Sequence, residues 1–139
     1  MADLVLADSG PLVAFLDRND PFHAWACAQI HGFDAPMLTC EAVLSECAHL
    51  TEQSEPGNQT LLAMLRAGGL QIPFTLRHDL DAVATLMAKY HDVPMSLADA
   101  CLVRMSELHD RSRVFTLDAD FKLYRRNGRQ SIPLITPAT

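Results

Sequence analysis

The chain has 139 residues, 49% of them hydrophobic, and a net charge of −6. That length fits a single domain, residues 1–139, with room for a buried core, and the apolar content excludes a disordered chain. No apolar run approaches the roughly 18 residues needed to span a membrane. The first ten residues carry two acids and no basic region, so a cytoplasmic protein without membrane contact is expected.

Residues 4–7, L-V-L-A, form the first predicted strand. The D-S-G-P that follows turns into a helix through about residue 17, with Pro11 suited to its first turn. Asp20-Pro21 opens a second helix through about residue 31, again as N-cap followed by proline. Residues 36–40 read as a short strand. Residues 41–51 have helical spacing, with Val43, Cys47 and Leu50 on one stripe. A turn-rich break at 51–58 precedes a helix over 59–67 that Gly68-Gly69 ends. Residues 70–74 form a strand containing Pro73. A helix over 76–91 repeats Leu80, Val83 and Met87, and a second helix covers 96–109. Residues 113–117 form a strand, 118–126 a short helix, and 132–135 a final strand containing Pro133.

Strands alternating with helices predict an α/β protein, a three-layer α/β/α sandwich around a parallel sheet of about five strands. Proline cannot donate to a central ladder, so the third and fifth strands belong at the edges. The order 3-2-1-4-5 satisfies this with right-handed crossovers. Ligands in such sheets bind beyond the carboxyl ends of the strands, where the order reverses. Here that place lies between the first and fourth strands. Asp8 follows the first and Asp118 follows the fourth, with Asp120 two residues on.

Two further acids border apolar helix faces. Glu46 lies between Val43 and Leu50, and Asp99 is followed at i+3 and i+4 by Leu102 and Val103. Each acid also has an ordinary structural reading. Asp8 and Asp118 could cap the helices that follow, Ser96 and Asp99 match a capping box, and Glu46 could point out of the core boundary. Gathered in one crevice, however, four carboxylates would repel and raise one another's pKa, and a divalent cation relieves that cost. An oxygen-only donor set suits Mg2+ or Mn2+. Such a site activates water for hydrolysis of a phosphodiester, with no side-chain nucleophile.

A net charge of −6 argues at first against a nucleic-acid partner, but its distribution leaves a basic patch beside the acids, to be read either as a solvated helix face or as a phosphate contact. Residues 111–130 carry six basic against two acidic residues, net +4, so the rest of the chain carries −10. Arg125 and Arg126, and less strongly Lys122, are the expected phosphate contacts. Other chemistries have less to stand on. Neither G-x-G-x-x-G nor G-x-x-x-x-G-K occurs, and the D-x-D here falls late, whereas haloacid-dehalogenase-type phosphohydrolases carry D-x-D-x-T after the first strand. Cys27, Cys40, Cys47 and Cys101 include no C-x-x-C pair and read as reduced core thiols. His23 and Cys27 could share a helix face, but no second pair with zinc spacing accompanies them. The six histidines form no H-E-x-x-H and are expected at surfaces and helix ends.

Four segments in order, L-A-D-S-G-P-L-V-A-F-L-D, L-T-C-E-A-V-L-S-E, M-S-L-A-D-A-C-L-V and F-T-L-D-A-D-F-K-L-Y-R-R, resemble the PIN-domain family, in its VapC-like group of ribonucleases. The resemblance spans nearly the whole chain. It implies a PIN-like fold, Mg2+ or Mn2+ dependence and endonucleolytic cleavage of RNA. It places the metal-binding acidic quartet on Asp8, Glu46, Asp99 and Asp118. Asp120 then assists, and Ser9 and Thr116 are supporting hydroxyls. It also implies a homodimer and a small antitoxin partner, since many members are toxins. Where many toxin members carry D-T-N or D-T-S, this chain has D-S-G-P. The alternative from another class is a non-catalytic RNA-binding or protein-interaction module on the same fold.

Overall fold

Two strands free of proline, β1 (Leu4–Ala7) and β4 (Ser112–Phe115), form the centre of the sheet. Val5, Leu6, Ala7, Val114 and Phe115 are all buried, as a strand covered on both faces requires. The computed structural model describes residues 3–55 and 57–137. Residues 1–2 and residue 56, the latter in the predicted break, lie outside the described residues.

The remaining elements are α1 (Ser9–Leu16), α2 (His23–His31), β2 (Met37–Leu38), α3 (Glu41–Leu50), α4 (Gly57–Ala67), β3 (Leu70–Gln71), α5 (Leu80–Lys89) and α6 (Leu97–Leu108). After β4 come a short 3-10 helix (Ala119–Lys122), β5 (Arg125–Arg126), β6 (Gln130–Ser131) and β7 (Leu134–Ile135). The main sheet is five-stranded and parallel, in the order β3-β2-β1-β4-β7, with helices flanking it. This is the expected α/β/α order, with β7 in the place of the predicted fifth strand. Pro73 lies just beyond β3 and Pro133 just before β7, so neither interrupts a ladder.

Register positions the crevice. Ala7 pairs with Phe115, and the Asp8 amide donates to the Phe115 carbonyl at 2.9 Å. The residues after both central strands therefore emerge side by side. Phe115 anchors this end of the sheet against Trp25 and Phe33, each ring 5.3 Å from it. Burying such an aromatic contributes about 2–3 kcal/mol.

Several local expectations are corrected. The helix expected over 118–126 is instead the four-residue 3-10 helix followed by an antiparallel hairpin of β5 and β6. Asn127 and Gly128 both have positive φ, 51° and 83°, and this Asn-Gly pair turns the chain back. Asp20 does not begin α2. Its carboxylate accepts from the Phe22 amide at 2.8 Å, which makes a separate turn before the helix starts at His23. Likewise, residues 77–79 are turn and α5 begins at Leu80, whereas α4 begins early, at Gly57. Leu50 and Leu80 are exposed, so the buried stripes are narrower than the spacing suggested. Among the described residues, no helix is long and apolar enough to cross a membrane.

Candidate active site

Asp8 occupies the first position beyond β1, where the chain must leave the ladder and enter α1. Its Oδ1 accepts from the Ser9 amide at 2.8 Å, and its Oδ2 accepts from the Thr116 hydroxyl at 2.7 Å. Thr116 is the residue opposite, just past β4, so this bond follows from the register. Only 6% of Asp8 is exposed.

From Asp8 a row of hydrogen bonds runs both ways. On one side, the Ser9 hydroxyl donates to Oε1 of Glu46, on the second turn of α3, at 2.8 Å. On the other, the Asp118 amide donates to the Thr116 hydroxyl oxygen at 2.9 Å, and Asp118 Oδ1 accepts from the Asp120 amide at 2.9 Å. Two short polar residues, Ser9 and Thr116, thus tie together three acids from three separate segments, and Asp118 brings in Asp120.

The fifth acid, Asp99, enters from the first turn of α6 and is also buried. It forms a capping box with Ser96, and its Oδ2 accepts from the Tyr124 hydroxyl at 2.9 Å. The capping readings of Asp8, Asp99 and Asp118 are therefore all realised. They do not compete with a second role, because a carboxylate oxygen that caps a helix keeps further lone pairs.

The acids lie close enough for their charges to act on one another. Burial pushes the Asp8 carboxyl from 3.8 up to about 6. The Thr116 and Ser9 hydrogen bonds pull it down, while the charges of Asp99 and Glu46 push it further up. Asp99 is also raised, first by burial, with the Tyr124 and Ser96 hydrogen bonds opposing and the Asp118 charge adding to the rise. Both shifts mark a crevice that disfavours its own negative charge.

The donor types here are those a hard divalent cation takes. They are carboxylate and hydroxyl oxygens, and an added cation would offset both the desolvation of Asp8 and the mutual repulsion. Among the described residues, no three His, Cys, Asp or Glu side chains already stand in an arrangement that could hold a metal ion. Asp8 and Asp99 are fixed by buried hydrogen bonds, whereas Glu46 and Asp118 are exposed and each accepts one, from the Ser9 hydroxyl and the Asp120 amide.

The basic residues divide. Lys122 is exposed at the end of the 3-10 helix, two residues beyond Asp120. Arg125 folds back, its Nη1 donating to the carbonyls of Lys122 at 2.8 Å and Tyr124 at 3.0 Å. Arg126 Nη1 donates to the Ser106 carbonyl at 3.1 Å. Ser106 lies seven residues beyond Asp99 on α6, about 10 Å along the helix. The structure therefore does not bring Arg126 to the acids; its guanidinium packs against α6.

Tyr124 is the site residue that sequence reasoning missed. The F-x-x-Y spacing after D-A-D placed an aromatic within reach, but nothing local pointed its hydroxyl at Asp99. Three of the four cysteines lie in the core as expected, whereas Cys27 is only partly buried. All four are free thiols, with Cys40, Cys47 and Cys101 buried. His23 does face Cys27, its Nε2 being 3.5 Å from Sγ, while Nδ1 lies 2.7 Å from the Ala14 carbonyl.

Fold and site together define an α/β protein with a cluster of carboxylates at the carboxyl end of its parallel sheet. No protein-family model matches the chain, and no curated protein matches it.

Proposed function

We propose that the protein is a Mg2+- or Mn2+-dependent endoribonuclease with a PIN-like, VapC-like active site. The observation that carries this reading is the hydrogen-bonded row Glu46–Ser9–Asp8–Thr116–Asp118, with Asp99 beside it, at the point where the strand order reverses. Asp8, Glu46, Asp99 and Asp118 would hold the ion. When bound, it would supply charge stabilisation and a water nucleophile for phosphodiester hydrolysis.

The chain's own groups do the rest. Thr116 and Ser9 orient Asp8, the backbone of Asp120 orients Asp118, and Asp120 assists from the rim. Lys122 is the best placed cation for an RNA phosphate, because its charge is exposed and it follows the acids directly. Arg125 contributes charge at the same edge, and Arg126 a packing contact. Gly10, where this chain departs from the toxin pattern, has a packing reason: a Cβ there would meet Leu117 Cβ at 3.2 Å. The resemblance also supports a homodimeric toxin restrained by a small antitoxin.

The test is cleavage of a structured RNA pool by purified protein, in Mn2+ or in EDTA, beside Asp8→Asn and Asp99→Asn. Cutting that needs Mn2+ and is lost in both variants supports the reading. Cutting that survives both variants refutes the site. Folded protein that binds RNA but never cuts it points to the non-catalytic module.

A further inference from the structure

Tyr124 is among the largest fully buried side chains of the protein. A buried phenol needs a hydrogen-bond partner, and this one has taken a carboxylate from a different element, Oδ2 of Asp99 at 2.9 Å. The other described contacts to that carboxylate come from Ser96, through its amide, long at 3.4 Å and to the same oxygen, and through its side chain. Neither the phenol nor the Ser96 amide engages Asp99 Oδ1.

The ring is held firmly. Phe121 and Tyr90 pack on it edge to face, with centroids 5.2 and 5.1 Å away. Tyr90's own hydroxyl is occupied elsewhere, accepting from the Arg125 amide at 2.9 Å. Of the two neighbouring phenols, only Tyr124 engages an acid of the crevice.

We infer that Tyr124 is a positioning residue for a divalent-cation site: it fixes Oδ2 of Asp99 and leaves Oδ1 as the ligating oxygen. This rests on the cation reading above and adds to it a residue outside the acidic set. Carboxylates that bind metals are themselves commonly held by hydrogen bonds, and removing such a partner typically weakens metal binding by about 10–100-fold. Without the phenol, Ser96 alone would restrain the Asp99 carboxylate, through its side chain and a long amide contact, and the carboxylate would gain freedom about its last torsion.

The experiment is calorimetric titration of Mn2+ into wild type, Tyr124→Phe, Tyr90→Phe, Asp99→Asn and the Asp99→Asn/Tyr124→Phe double variant. Urea midpoints in EDTA verify that each is folded. Tyr124→Phe should weaken Mn2+ binding about 10-fold or more. Tyr90→Phe, which removes the adjacent hydroxyl from the same cluster, should leave affinity within about twofold. In the Asp99→Asn background the Tyr124→Phe change should add nothing, since its effect passes through that carboxylate. A wild type that binds Mn2+ and a folded Tyr124→Phe that binds it equally well would overturn the inference and leave the cation reading standing. Equal weakening by both tyrosine variants, or full additivity in the double variant, would reduce Tyr124 to a packing role. A wild type with no Mn2+ affinity would overturn the cation reading and the inference together.

Discussion

Replacing Asp8 with asparagine should stabilise the cation-free protein at neutral pH, even though it removes the central acid of the crevice. Asp8 is nearly inaccessible to water, and burial lifts its pKa from 3.8 to about 6 despite two donated hydrogen bonds. The folded state therefore binds this proton more tightly than the unfolded chain does. The contribution to stability is most favourable below about pH 4, declines as pH rises towards 6, and stays unfavourable above it. The rise corresponds to about 3 kcal/mol against the ionised native state at pH 7.5. Asparagine removes the charge and keeps the shape. Its amide nitrogen is a donor only, so one of the Ser9 and Thr116 hydrogen bonds loses its acceptor, a loss of about 1 kcal/mol. The net gain is about 2 kcal/mol at pH 7.5, or several degrees in Tm. Urea denaturation in EDTA at pH 7.5 and pH 4 measures it, since other titrations largely cancel between the two proteins. The variant should be the more stable at pH 7.5 and should lose that advantage at pH 4. A variant less stable at pH 7.5, or a difference independent of pH, would refute the electrostatic reasoning.

Other substitutions separate support from contact. Thr116→Val removes both the donor to Asp8 and the acceptor for the Asp118 amide, so urea midpoints should report a loss of about 2–3 kcal/mol. Lys122→Ala should leave stability within about 0.5 kcal/mol and lower the salt slope of RNA binding by about 1. Arg126→Met should do the reverse, costing about 1–2 kcal/mol through its lost bond to the Ser106 carbonyl while leaving the slope unchanged. Mass spectrometry after iodoacetamide treatment should find Cys27 labelled first, because the other three thiols are buried and burial pushes Cys47 up to about 12.

The sheet was legible in the sequence because its signals are local. Short apolar runs mark the strands, and Pro73 and Pro133 mark the edges. Once the order was fixed, the meeting of Asp8 with the end of the fourth strand followed from topology. The hairpin was equally legible in Arg125-Arg126-Asn127-Gly128, where the Asn-Gly pair favours two positive φ angles, yet the basic run had been read as helix. Arg126 shows a different limit. Counting charges locates a basic segment but not the direction of each side chain, and this guanidinium turns onto α6. Tyr124 lies beyond local reading altogether, since its hydrogen bond joins residues 25 positions apart across two elements.

The most direct measurement of the central claim is the chemistry of the ends left on a cleaved RNA. In Mn2+, with a defined substrate, attack by water should leave linear monophosphate ends, and a 2′-deoxy substitution at the cut site should still permit cleavage. EDTA should abolish the products, and Asp99→Asn should not form them. A 2′,3′-cyclic phosphate, or cleavage blocked by the 2′-deoxy substitution, would mean that the RNA's own hydroxyl is the nucleophile and would contradict the account.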